Sequence, residues 1–180
     1  MHIATHGLLS WLLAESAPLD RRGRIAVTLA GIAADLDGLG APVEMLSKGA
    51  LPWFTDYHHR VLHNGLAAVV VAGLCWAWCR RDWRVGLLAL AAMHLHFLCD
   101  LVGSRGPDDH DWPIPYLVPF ADVELRWSGQ WALNAWPNLL ATGLAMLAIA
   151  WLGARRGRTP MEIISPRLDA VVVARLRTWF

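Results

Sequence analysis

Apolar residues fall into five blocks along the chain, at residues 3–14, 25–34, 61–79, 85–102 and 131–153, with polar punctuation between them. Leu, Ala and Met dominate most of these blocks, which favours helix over strand. The punctuation comprises residues 20–24, 38–55, 80–84 and a long stretch at 103–129. Pro107, Pro113, Pro115 and Pro119 keep that last stretch from being a regular helix or a central strand. The pattern predicts an all-α chain, a multi-helix bundle carrying one long Pro- and Gly-rich loop.

Composition changes that picture by moving the bundle towards lipid. Hydrophobic residues make up 56% and charged residues 17% of the 180, against roughly 45–50% and about 25% in ordinary soluble domains. Disorder is excluded, and a conventional soluble surface is hard to build. A full membrane span needs about 20 apolar residues. Block 131–153 reaches that length, although Asn134, Pro137 and Asn138 weaken its first turns. Residues 65–79 and 85–102 are shorter or carry His94, His96 and Asp100, and the first two blocks are too short to span alone. No basic residue precedes the first block, so a signal peptide is not expected.

Arginines sharpen the topology. Arg21, Arg22 and Arg24 follow the first block, Arg80, Arg81 and Arg84 the third, and Arg155, Arg156 and Arg158 the fifth. If successive blocks alternate direction, all three clusters share one edge, which the positive-inside rule places in the cytoplasm. Trp76, Trp78, Trp83 and Trp151 flank that edge, and Trp112, Trp127, Trp131 and Trp136 flank the other, as amphipathic rings do at membrane interfaces. A membrane-embedded bundle is the expectation; a soluble bundle of buried helices is the other architecture that the pattern allows. Residues 1–153 form the helical body and 154–180 a basic tail broken by Pro160 and Pro166. Residues 167–177 are expected to be helical. That helix either lies on the cytoplasmic membrane surface, with Val171, Val172, Leu176 and Trp179 towards lipid, or packs on the bundle. A net charge of +1 argues against binding nucleic acid. Cys75, Cys79 and Cys99 read as small buried hydrophobes.

The candidate chemistry sits on the edge away from the arginines. All eight histidines precede residue 111. His2 and His6, His59 and His63, and His96 and Asp100 are each four residues apart, a spacing that puts both side chains on one helix face. Paired side chains of this kind share metal ions in helical zinc proteases. Asp35 and Asp37 close the second block, where Gly38 and Gly40 allow the chain to turn both carboxylates inward. With alternating helices, His6, Asp35, Asp37, His59, His63, His96 and Asp100 all reach the same edge. Ionisable groups in apolar helices are costly, and a shared metal offsets that cost. His2 and His58 read as ordinary polar residues, and His94 points to a different face from His96.

The order Thr5-His6, Asp35-Leu36-Asp37, His59-Arg60 with His63-Asn64, and His96-x-x-x-Asp100 resembles the YdjM-like membrane-bound metal-dependent hydrolases. The Pro-rich loop ending at Tyr116-Leu117-Val118-Pro119-Phe120 fits the same pattern, and the likeness covers about residues 1–125. That family has been grouped with zinc-dependent phospholipase C and single-strand nucleases. The resemblance implies that His6, Asp35, His59, His63, His96 and Asp100 are metal ligands and that Asp37 is a ligand or a base. Asn64 stands where the family usually has Ser or Thr. The phospholipases use further ligands, for which Asp108, Asp109, His110 and Asp111 are the residues on offer, at a spacing that does not match.

The expected activity is that of a metal-dependent hydrolase. Two or more divalent ions, zinc first and manganese or iron as substitutes, suit mixed imidazole and carboxylate ligands. They would activate water against a phosphoester, with Asp37 orienting or deprotonating that water and Arg60 stabilising phosphate charge. A site at the outer, periplasmic edge of the inner membrane points to a lipid head group or a lipid-linked phosphate as substrate, with the C-terminus cytoplasmic. The competing expectation is a non-enzymatic membrane protein holding a structural or transported metal.

Overall fold

The punctuation residues of the sequence become helix caps. A computed structural model describes residues 1–106 and 111–180, so Asp108, Asp109 and His110 lie outside the described residues. Its helices are α1 (Ile3–Ala14), α2 (Arg21–Ala33), α3 (Gly40–Leu46), α4 (Trp53–Tyr57), α5 (Gly65–Trp78), α6 (Trp83–Gly103), α7 (Trp136–Arg156) and α8 (Pro166–Leu176). Asp20 accepts from Gly23 N at 2.7 Å to start α2, and Asp82 accepts from Arg84 N at 2.9 Å to start α6. Asn64 accepts from Ala67 N at 2.8 Å to start α5, and its amide nitrogen donates to Val61 O at 2.8 Å. Among the described residues no strand forms; the long loop makes only isolated bridges, Arg105 with Ala132 and Ile114 with Leu125.

Two expectations need correcting. Residues 38–55 are not mere punctuation, because they carry α3 and α4. The second block is also not too short. The 3-10 turns of Ala34–Leu39 carry α2 into α3, giving a continuous helical stretch, Arg21–Leu46, of 26 residues. Pro42 falls in the first turn of α3, where its missing N–H costs little. This stretch, Trp83–Gly103 and Trp136–Arg156 are long and apolar enough to cross a membrane, and α1 and α5 are shorter apolar helices.

Helix α2 lies between α1 and α6, α5 packs on α6, and α7 packs on α1. Small residues make these contacts close: Ala26, Ala30, Ala68, Ala72, Ala89 and Ala92 are all buried. At Gly31 a Cβ would lie 1.7 Å from Ser10 Oγ, so no other residue lets α1 and α2 approach as they do. The large apolar side chains point the other way: Val69, Val70, Leu74, Leu87, Leu140, Leu144 and Leu147 are exposed. Small residues inside and large ones outside is the packing of helices that meet lipid.

The arginine edge is held by a buried ionic network. Arg24 donates twice to the Glu162 carboxylate at 2.6 Å, and Trp11 Nε1 donates to it at 3.3 Å. Arg156 and Arg158 donate to Glu15 at 2.8 and 2.7 Å. Burial opposes ionisation of Glu15, but hydrogen bonds from Arg158 and Arg156 outweigh it and hold the carboxyl below its ordinary range. Arg22 sits 5.1 Å from the Trp78 ring, bringing the end of α5 to the same edge. The tail is built into this network. Thr159 N and Oγ1 donate to Asp169 at 2.7 and 2.6 Å, and Val173 and Leu176 are buried. Helix α8 thus packs on the bundle. Leu176 faces inward rather than towards lipid, while Val171 and Trp179 remain exposed.

Removing one partner of a buried pair leaves the other charge uncompensated, at a cost of about 3–5 kcal/mol. Glu162→Ala is therefore expected to lower the thermal unfolding midpoint in detergent substantially. Glu124→Ala, which breaks the exposed Glu124–Arg126 pair, should change stability by less than about 1 kcal/mol.

Candidate metal centre

Four separate segments deliver imidazoles and carboxylates to one point on the edge opposite the arginines. His6 comes from α1 and Asp35 from the turns after α2. His59 and His63 come from the connection between α4 and α5, and His96 and Asp100 from the last turns of α6. They form two groups, His6, Asp35, His96 and Asp100, and His59, His63 and Asp100. Within each group one donor atom per residue lies within 4.8 Å of every other. Asp100 belongs to both. Its carboxylate is 1% exposed at the residue level, and His6, His63 and His96 are equally buried.

Some of these contacts are hydrogen bonds, yet several buried donor atoms have none. Asp100 Oδ2 lies 2.9 Å from His96 Nε2, 3.4 Å from His63 Nε2 and 4.0 Å from His59 Nε2, yet it has no hydrogen bond. His63 Nε2 and His96 Nε2 face each other at 3.2 Å. Asp100 Oδ1 is 3.1 Å from His6 Nε2 and also receives the terminal nitrogen of Met1. Asp35 Oδ2, His6 Nδ1 and His59 Nδ1 are buried without a partner. Buried polar atoms left unpaired are expensive. Two carboxylates facing four imidazoles are a donor set suited to divalent transition metals, zinc in particular.

Neighbouring groups fix which ring nitrogen faces inward. His96 Nδ1 donates to Gly31 O at 2.8 Å, leaving Nε2 to point at the cluster. His63 Nδ1 donates to Asp37 Oδ2 at 3.0 Å, with the same result. Burial works against a proton on His63, but the Asp100 and Asp37 carboxylates outweigh it and hold the ring up to about 9. His59, stacked on His63 at 4.1 Å, is pushed down by burial. A cation drawn to the same carboxylates competes with the His63 proton.

Asp37 differs from the expectation. It stands outside both donor groups, and both its oxygens are taken. Oδ1 accepts from His58 Nδ1 at 2.8 Å; Oδ2 accepts from His63 and from Leu62 N at 3.3 Å. The 3-10 turn puts Asp35 and Asp37 on different sides of the chain, so only one of them reaches the cluster while the other orients its histidines. His58 departs from the expected ordinary polar residue. It pairs with Asp37, stacks on Phe54 at 4.4 Å and lines the approach to the cluster. His94 lies apart, bonded to the Tyr116 hydroxyl at 2.8 Å, and His2 joins neither donor group.

A cavity of about 530 Å³ opens onto Asp35, His59 and Asp100, walled by Phe54, His58, Trp112 and Leu133. A smaller cavity of about 270 Å³ shares His58, His59 and Trp112 with it and reaches Arg60 and Arg126. His59 has a left-handed backbone, φ 63°, a conformation costing a non-glycine residue about 1–3 kcal/mol. That turn sends His59 inward and leaves the next side chain, Arg60, exposed on the rim of the smaller cavity. Sequence reasoning gave no role to two buried amides that pin the long loop here. Gln130 donates to Asp100 O at 2.8 Å, and Asn138 donates to Gly103 O at 2.7 Å. Neither has a spacing signal, because each bonds to backbone far away in the sequence.

No curated protein and no solved structure matches the chain. A family model does, over nearly its whole length, and the described helices agree with what that family's description says of its members. The model matches residues 1–173, and the chain belongs to the YdjM inner membrane protein family.

Proposed function

We propose that this protein is a membrane-bound, metal-dependent hydrolase that cleaves a phosphoester of a lipid or lipid-linked substrate. The observation that carries this reading is the convergence of two donor groups on the single buried carboxylate of Asp100, beside a cavity that reaches it from outside. A structural metal is coordinatively closed, whereas a catalytic one keeps a position open to substrate, and a cavity wall that includes Asp35, His59 and Asp100 favours the second. Transport is disfavoured by the apolar helices. Residues 65–78 and 139–153 contain no histidine or carboxylate that would continue a polar path to the arginine edge.

His6, Asp35, His96 and Asp100 would hold one divalent cation, and His59, His63 and Asp100 a second, with zinc the first choice. Such ions supply a Lewis acid for phosphoryl oxygens and lower the pKa of water to about 7. The chain does the rest. Asp37 and Gly31 O orient His63 and His96, and Phe54, Trp112 and Leu133 exclude bulk water from the approach. Arg60 is placed to bind phosphate oxygens with its forked guanidinium. We place the centre on the periplasmic side of the inner membrane and the tail in the cytoplasm, since the arginines gather at the other edge.

Three outcomes test this reading. Protein purified in detergent without added metal is expected to carry about two divalent ions, as its two donor groups require, and Asp100→Ala should lose both in elemental analysis. Equal and negligible metal in wild type and mutant overturns the proposal. Asp37→Asn removes an orienting carboxylate, so chelator competition should show metal affinity weakened by about 10–100-fold. Arg60→Ala should keep its metal and lose about 100-fold or more in kcat/KM on phospholipid vesicles, the scale of losing one charge-stabilising group.

A further inference from the structure

The segment from the end of the Arg21–Leu46 stretch to His58 exposes a run of large apolar residues beside the donor cluster. Met45 is 75% exposed and Leu46 82%, and Leu51, Trp53 and Tyr57 are exposed beside them. The segment is not loose chain. Glu44 accepts from Thr55 N at 2.9 Å and from Thr55 Oγ1 at 2.7 Å, bracing α3 against α4. Gly40 makes the brace possible, because a Cβ there would lie 2.8 Å from Phe54 N. Phe54 faces the other way, into the cavity beside the donor cluster.

Two observations identify what covers the outer face. First, the face continues the lipid-facing surface of a membrane-spanning stretch, because Leu29, Leu36, Leu39, Met45 and Leu46 are successive exposed apolar residues of Arg21–Leu46. Second, its composition is interfacial. Met, Leu, Trp and Tyr accompany only three charges in residues 40–57, namely Glu44, Lys48 and Asp56, and Glu44 is already engaged by Thr55. Trp and Tyr favour the boundary between hydrocarbon and water, and short amphipathic elements with apolar residues on one side lie in that boundary.

We infer that residues 39–57, the outer end of the Arg21–Leu46 stretch and the short helix that follows it, form a cap seated in the interfacial layer of the lipid bilayer, next to the opening of the candidate metal centre. The cap keeps the cavity mouth at the lipid surface, with Trp53 on its outer side and Phe54 on its inner side. The inference concerns the membrane contact alone and stands whether or not the centre is hydrolytic.

The test is spin labelling of the full chain in vesicles of phosphatidylethanolamine and phosphatidylglycerol. Cys75, Cys79 and Cys99 are replaced by Ala, and a nitroxide is attached through Met45→Cys or Leu46→Cys. Arg126→Cys serves as the water-exposed reference and Leu147→Cys as the lipid-exposed one. Both positions of the cap are highly exposed, so the substitutions leave the core intact, and circular dichroism checks the helices. The labels at 45 and 46 are expected to collide with oxygen in preference to a polar nickel chelate, the preference shifted several-fold from the label at 126 towards that at 147. Chelate accessibility equal to that at 126 overturns the inference. Immobilised labels accessible to neither reagent also overturn it, by showing that protein rather than lipid covers the cap.

Discussion

The carboxylate of Asp100 organises the edge that carries the donor cluster. It is a charge removed from water at the end of an apolar helix, where an isolated carboxylate is prohibitively costly. The chain meets that cost by bringing His6 from α1 and His59 and His63 from the connection before α5 to join His96 of the same helix, all within 4.0 Å of its two oxygens. Their arrival fixes the rest. α1 enters at His6 and α2 leaves at Asp35. α5 begins just beyond His63, and the long loop is drawn down by Gln130 onto the carbonyl of Asp100 itself.

The arginine edge solves the same problem with opposite means. There Arg24, Glu15, Glu162, Arg156 and Arg158 neutralise one another directly. The edge around Asp100 is closed less fully: the Met1 terminus and the His63 ring pair with its carboxylates, yet Asp100 Oδ2, Asp35 Oδ2, His6 Nδ1 and His59 Nδ1 stay buried without a hydrogen bond. Two ends of one bundle, built from the same helices, thus differ in whether their polar groups are complete in the protein alone. That difference is the physical ground for proposing chemistry at the edge around Asp100 rather than at the arginine edge.

Much of this was legible in the sequence. The first apolar block coincides with α1, and the third to fifth overlap α5, α6 and α7, because long Leu- and Ala-rich runs leave little competition from strand. Six donors of the cluster were legible too, because four-residue spacing and placement at alternate block ends are visible without coordinates. What escaped depended on contacts between segments. The different parts played by Asp35 and Asp37 follow from a 3-10 turn that periodicity does not reveal. His58 gains its place only because Asp37, 21 residues earlier, folds beside it. Helices α3 and α4 have 7 and 5 residues, too few for an apolar period to show. Leu176 looked as lipid-facing as Val171 until α7 supplied a surface for it.

The shortness of α1 has one more consequence. Nine positions separate His6 from Glu15, about 14 Å at 1.5 Å per residue, whereas the hydrocarbon of a bilayer is about 30 Å thick. Both polar networks cannot then lie level with the two head-group planes of an undeformed membrane. Either the bilayer thins around this helix, or at least one network is sunk beneath the surface, and hydrophobic mismatch allows both. This gives a reason for the roofs that the fold builds over each end: α8 with the preceding turn beside Glu15, and α3 with α4 beside the approach to Asp100. Each roof separates a submerged charge cluster from acyl chains that offer it no hydrogen bond.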